Sequence, residues 1–121
     1  MKLNHLNLTV PDVAATLALF ETHFQFRCAD EKGDNMLVVL YGEDDFILTI
    51  MSESFNRNSN IPYPDAFHFG FILDTQEEVD KLYLELKNAT ITLDKPPGKI
   101  RNSYGFYFHF QNLMIEIGHY F

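Results

Sequence analysis

The strongest constraint on this chain is an internal repeat. The stretch HLNLTVPD at 5–12 stands ahead of one helical pattern, and HFGFILD at 68–74 stands ahead of another. FILTI at 46–50 and LMIEI at 113–117 close the two halves in the same manner. Self-similarity on this scale implies a copied supersecondary unit, so both halves must reach the same local architecture.

Residues 2–10 alternate, with Leu6, Leu8 and Val10 on one face and His5, Asn7 and Thr9 on the other, which is the period of a half-buried strand. Pro11 and Asp12 break the alternation, and Val13, Leu17, Phe20 and Phe24 then recur at helical spacing behind Asp12 as cap. Strands are predicted over 27–31, 36–41 and 46–51, with turn signals at 32–34 and 42–45. The segment 52–65 holds Pro62, Pro64 and several Ser and Asn without an apolar period, and reads as a connector. In the second half a strand is predicted over 67–73, and Thr75 with Glu78 forms a capping box ahead of Val79, Leu82, Tyr83 and Leu86. Further strands are predicted over 89–93, 104–110 and 113–118, with a loop at 95–98. Each half is β-α-β-β-β. At 121 residues the chain is expected to be one α+β domain, with module one over about 1–55, a linker at 56–65 and module two over about 66–121.

Nine Lys and Arg stand against 17 Asp and Glu, and the formal charge of −8 repels phosphate backbones and anionic lipid surfaces. No nucleic-acid or membrane partner is expected. An apolar content of 46% suits a packed core rather than disorder. Cys28 is the single cysteine, so the chain cannot form an internal disulfide. With no basic-then-apolar start and no membrane-length apolar run, a cytoplasmic location is expected. Phosphate-cradling glycine loops, cysteine zinc patterns and nucleophile elbows are missing, which removes support for nucleotide hydrolysis and serine-type acyl transfer.

Superposing the halves sets His5 opposite His68 on the opening strands, and Thr49 opposite Glu116 on the closing strands. Two imidazoles and one carboxylate can hold a divalent transition metal from one side and leave positions open to water or substrate. Asn7, Thr9 and Gly70 share the face of the histidines, where Gly70 leaves space or permits a close backbone contact. If Glu116 faces the site, so do Met114 and Gly118, while His119 points away and His109 sits at a turn. The aromatic run Tyr104, Phe106, Tyr107, Phe108 and Phe110 reads mostly as core, with one face available as a ligand wall. Arg101, Asn102 and Tyr104 are candidate substrate contacts beside it. Against these stands the commoner fate of a strand histidine, a hydrogen-bonded core or surface residue.

Over nearly its whole length the sequence resembles the vicinal-oxygen-chelate superfamily of glyoxalases, bleomycin-resistance proteins and extradiol dioxygenases. The paired halves carry the resemblance, together with His5, His68 and Glu116 and the stretch FYFHFQNLMIE at 106–116, which is similar to the family's aromatic strand, turn and metal-binding Glu. It implies two tandem βαβββ modules forming a half-open barrel. It further implies a divalent transition metal (zinc, nickel, manganese or iron) on His5, His68 and Glu116, a small oxygen-bearing substrate and a homodimer, with Asn7, Thr49, Arg101 and Tyr104 as the candidate substrate-binding residues of this chain. Two departures bear on the chemistry. His109, Phe110 and Gln111 replace the family's Asp-Pro-Asp, with Asn112 at its turn glycine, a position where Asn tolerates the left-handed conformation. Thr49 replaces the first-half Glu of lactoylglutathione lyases, and a neutral hydroxyl cannot serve as both ligand and proton-transfer base. The remaining set is more similar to that of fosfomycin-modifying thiol transferases and extradiol dioxygenases. The resemblance thus implies a metal-dependent lyase, thiol transferase or dioxygenase. The alternatives are a metal-free protein of the bleomycin-resistance type that sequesters a small molecule, and a domain kept for assembly or regulation.

Overall fold

The computed structural model describes residues 1–121, which form two compact units, Met1–Ile61 and Pro62–Phe121. The division falls within the connector expected at 56–65. No helix is long and apolar enough to cross a membrane.

The first unit runs β1 (His5–Val10), α1 (Val13–His23), β2 (Arg27–Lys32), β3 (Leu37–Tyr41) and β4 (Ile47–Ser52). Its sheet has the order β1-β4-β3-β2, with β1 parallel to β4 and the other neighbours antiparallel. The Asp12 carboxylate accepts from the Ala15 N–H at 3.1 Å and starts α1, and Gln25 in the left-handed region (φ 61°) turns the chain away after it. Leu8, Val10, Val38, Leu40, Leu48 and Ile50 bury with Val13, Leu19 and Phe20 of the helix. Alternation leaves His5, Asn7, Thr9, Val39, Thr49 and Met51 on the opposite face of the sheet.

The second unit repeats this plan as β5 (Phe69–Ile72), α2 (Gln76–Asn88), β6 (Gly98–Ile100), β7 (Ser103–Phe110) and β8 (Leu113–Tyr120). The order is β5-β8-β7-β6, again with one parallel pair, β5 and β8. The expected α+β fold of two βαβββ repeats is therefore present as two four-stranded sheets, each with one helix. The Thr75 hydroxyl accepts from the Glu78 N–H at 3.1 Å, and the Glu78 carboxylate accepts from the Asp74 N–H at 3.1 Å, so both ends of the capping box are made. Val79 and Leu86 bury against Phe106, Phe108, Leu113, Ile115 and Ile117. Each such side chain contributes about 1.5–3 kcal/mol when taken out of water, so a slip of one residue in β8 would expose the whole set. That register fixes Glu116 on the other face.

The second unit departs from expectation in three places. No strand forms over 89–93. The N–H groups of Ala89, Thr90 and Ile91 donate back to carbonyls of Glu85, Lys87 and Leu86, with Thr90 left-handed (φ 61°), so the helix end uses donors that a ladder would need. Ile91 and Leu93 remain half-buried, which explains the alternation in the sequence. The strand lies instead at Gly98–Ile100, starting on the last residue of the loop expected at 95–98, where Ile100 pairs with Ser103 across the short turn of Arg101 and Asn102. Finally, Phe110 pairs with Leu113 across Gln111 and Asn112, and it is Gln111 (φ 54°), not Asn112, that takes the left-handed conformation. His109 accordingly belongs to β7 instead of the turn, where its Nδ1 lies 3.8 Å from the Asp94 carboxylate on the surface.

Candidate functional site

The two ladders establish the equivalence of the halves. Asn7 of β1 pairs with Thr49 of β4, and Gly70 of β5 pairs with Glu116 of β8, each two residues past a histidine. His5 therefore corresponds to His68, and Thr49 to Glu116, as the repeat suggested.

In the second unit His68 lies just before β5, with Nδ1 2.9 Å from the carbonyl oxygen of Ala66. A carbonyl oxygen only accepts, so Nδ1 carries a proton, and in the neutral form of the ring Nε2 presents its lone pair. That Nε2 stands 3.5 Å from Oε2 of Glu116. With the ring neutral, two electron-pair donors face one another, and a cation between them, either a proton or a metal ion, would satisfy both. The side chains are 39% and 25% exposed, enough for an ion to arrive from solvent without unfolding the sheet. A backbone carbonyl holding the far ring nitrogen is also how metal-bound imidazoles are commonly oriented. No third His, Cys, Asp or Glu stands beside this pair within its unit.

Tyr107 completes the group. It pairs with Glu116 in the β7–β8 ladder, and its ring meets that of His68 edge-on with centroids 5.6 Å apart. Burial, the charge of Glu116 and a hydrogen bond from the phenol to that carboxylate push the Tyr107 pKa up, while the Arg101 guanidinium pulls it down. Arg101 is exposed at the β6–β7 turn, left-handed at φ 53°, and its charge reaches this side of the sheet.

In the first unit the His5 Nδ1 lies 2.7 Å from Oδ1 of Asn4, so Nδ1 again carries a proton and the neutral ring would take the same tautomer. Asn7 donates from Nδ2 to the Met51 sulfur at 3.1 Å. Thr49 is half-buried between Ile47 and Met51 on the same face of β4, which brings no carboxylate to that position.

One expected contact differs from the sequence reading. Tyr104 lies on the helix side of β7, where its hydroxyl donates to Oδ1 of Asp80 on α2 at 2.6 Å, so it is not part of the group around Glu116. It shares the parity of the buried Phe106 and Phe108, and Tyr107, of opposite parity, takes the place beside Glu116. Of the two readings of Gly70, space or a close backbone contact, the structure has the contact, since a Cβ there would lie 2.7 Å from the carbonyl oxygen of Glu116. His119 faces away from the group, its Nδ1 3.0 Å from the Leu73 carbonyl oxygen.

The model of the glyoxalase, bleomycin resistance protein and dioxygenase superfamily matches residues 2–114. The chain belongs to this superfamily. A possible glyoxalase from Bacillus cereus is 35% identical, with a TM-score of 0.82 and 97% of each chain covered. Lactoylglutathione lyase from Agrobacterium tumefaciens is 22% identical at a TM-score of 0.75, covering 98% of this chain and 92% of the other. A fosfomycin resistance protein from Listeria monocytogenes is 19% identical at 0.74, with 98% and 93% covered. At the two lower identities the likeness shows the fold alone. No curated protein matches. In this member of the glyoxalase superfamily His5 opens β1 and His68 stands just before β5, while the closing strands carry Thr49 and Glu116.

Proposed function

We propose that the protein is a metalloprotein of the glyoxalase and dioxygenase type, in which His5, His68 and Glu116 hold a divalent transition metal that takes a small substrate through two of its oxygens. The observation that carries this reading is the His68–Glu116 pair, with the ring locked by the Ala66 carbonyl and Nε2 aimed at the carboxylate 3.5 Å away. His5, in the same tautomer, supplies the third donor of a set that suits zinc, nickel, manganese or iron. Such an ion acts as a Lewis acid toward enolate-like charge on chelated oxygens. The chain's own residues orient and exclude. Tyr107 donates to Glu116 and restricts how the carboxylate turns, and Asn7, Thr49 and Arg101 offer polar groups to the substrate. With Thr49 where a carboxylate base would stand, any proton transfer falls to water or to a group on the substrate, which favours thiol transfer or dioxygenase chemistry over lactoylglutathione lyase chemistry of the usual type.

Elemental mass spectrometry of protein purified without chelator tests the proposal. About one equivalent of a divalent transition metal is expected in the parent, and its loss in His5→Ala, His68→Ala and Glu116→Ala. A parent that takes up no zinc, nickel, manganese or anaerobic iron refutes it. That result would favour a metal-free small-molecule binder, to which the neutral Thr49 and the net charge of −8 are suited if the ligand is basic.

A further inference from the structure

The two sheets differ in what stands beside the closing strand. In the second unit Glu116 has Gly70 as its ladder partner on β5 and Tyr107 on β7. A glycine brings no side chain, so of these two neighbours only Tyr107 sets a side chain against the carboxylate. The equivalent places in the first unit hold Asn7 on β1, Thr49 on β4 and Val39 on β3. The repeat therefore supplies its own comparison. Where the closing strand carries a carboxylate, its antiparallel neighbour carries a hydrogen-bond donor; where it carries a neutral hydroxyl, that neighbour is a valine, which can make no such bond.

The packing of Tyr107 draws on its ring rather than its hydroxyl. Phe106 and Phe108 are buried on the helix side of β7, whereas Tyr107 is half-buried on the face of Glu116. Its ring meets that of His68 edge-on with centroids 5.6 Å apart, a contact that phenylalanine would keep. What the hydroxyl adds is the hydrogen bond to Glu116. Because Oε2 of the same carboxylate lies 3.5 Å from His68 Nε2, the side chain of Glu116 is held between a phenol and an imidazole.

We propose that Tyr107 is a positioning residue that sets the metal preference of the site, its phenol engaging the Glu116 carboxylate so that one oxygen, not two, is offered to the ion. The proposal rests on the reading of His68 and Glu116 as metal ligands. An ion limited to one carboxylate oxygen draws the rest of its binding from imidazole, which suits nickel and zinc. Manganese depends more on oxygen donors and gains from a carboxylate free to turn and bind through both. A hydrogen bond behind a metal ligand commonly carries about 10–100-fold in metal affinity, enough for its loss to be read directly.

The test measures nickel affinity of the full chain by calorimetry and then displaces nickel with manganese, which gives the ratio of the two affinities even where manganese alone binds weakly. Parent, Tyr107→Phe and Tyr104→Phe are compared, the last as a control whose hydroxyl bonds Asp80 on the helix side of the same strand. Tyr107→Phe is expected to melt close to the parent, to bind nickel about tenfold more weakly and to bind manganese as well as the parent or better, so that the nickel preference falls by about tenfold or more. Tyr104→Phe is expected to keep the parent's ratio. Weakening of both ions in equal proportion in Tyr107→Phe would mean that the phenol only braces the sheet, and overturns the proposal, as do two unchanged affinities. An equal fall of the ratio in Tyr104→Phe overturns it too, since a hydroxyl remote from Glu116 would then do the same. A parent that takes up neither ion refutes the metal reading itself, whereas a parent that binds nickel and shares its ratio with Tyr107→Phe refutes the role of Tyr107 alone.

Discussion

Replacing Gly70 with alanine tests whether the parallel β5–β8 contact positions Glu116. The new methyl would lie 2.7 Å from the Glu116 carbonyl oxygen and 3.0 Å from its Cβ, where comfortable heavy-atom contact requires about 3.5 Å. The nearer partner is backbone and cannot rotate away, so β5 and β8 must separate locally. Overpacking of this kind costs about 1–3 kcal/mol, offset by roughly 0.5–1 kcal/mol because alanine loses less conformational freedom than glycine on folding. The net is a destabilisation of about 1 kcal/mol, or roughly 3–5 °C in Tm for a chain of this size. Differential scanning calorimetry of the variant reads the shift, and nickel affinity reads the accompanying movement of Glu116 away from His68, with weaker binding expected. A Gly70→Ala protein that melts with the parent and binds nickel equally well would show that the close approach does not position the carboxylate.

Two other outcomes follow from the second unit. Thr75→Ala removes the hydroxyl that caps α2 and should cost about 1 kcal/mol in urea denaturation, with Thr75→Ser restoring most of it; an unshifted midpoint would mean that the cap bond at 3.1 Å does not contribute. The hydrogen bond to Asp80 raises the Tyr104 pKa above its unfolded value of 10.0, so the folded state retains that proton longer. The stability this confers is complete below pH 10 and is lost as pH rises through the higher folded value. Parent stability should fall more steeply than that of Tyr104→Phe above pH 10, and parallel curves would contradict the assignment.

Signals that act over a few residues were legible in the sequence. Asp12 and Thr75 cap their helices as their positions suggested, because a cap needs only the next three residues to form. The repeat, too, gave the correspondence of His5 with His68 and of Thr49 with Glu116, since identical strand orders must reproduce identical neighbours. The segment 89–93 failed because alternation reports burial, not pairing: Ile91 and Leu93 are half-buried, yet their stretch has no ladder partner. Tyr107 was hidden inside an aromatic run that read as core. A two-residue turn at 111–112 pairs Phe110 with Leu113 and, counting back, Tyr107 with Glu116, so the turn length was the signal that could have found it. Tyr104 was misplaced for the converse reason, its parity matching Phe106 and Phe108 on the helix side.

Both sheets keep their stabilising residues and their chemically distinctive ones on opposite surfaces. In β8, Leu113, Ile115 and Ile117 sustain the fold, while Met114, Glu116 and Gly118 lie behind them and add little to it. A mutation on the second surface can therefore change reactivity without first passing through an unfolded ancestor. Thr49 illustrates the freedom this gives, since a side chain at that place can gain or lose a carboxylate while Leu48 and Ile50 hold the strand in its layer. Such a scaffold lends itself to divergence in lineages where one copy of a duplicated half drifts and the other keeps its donors.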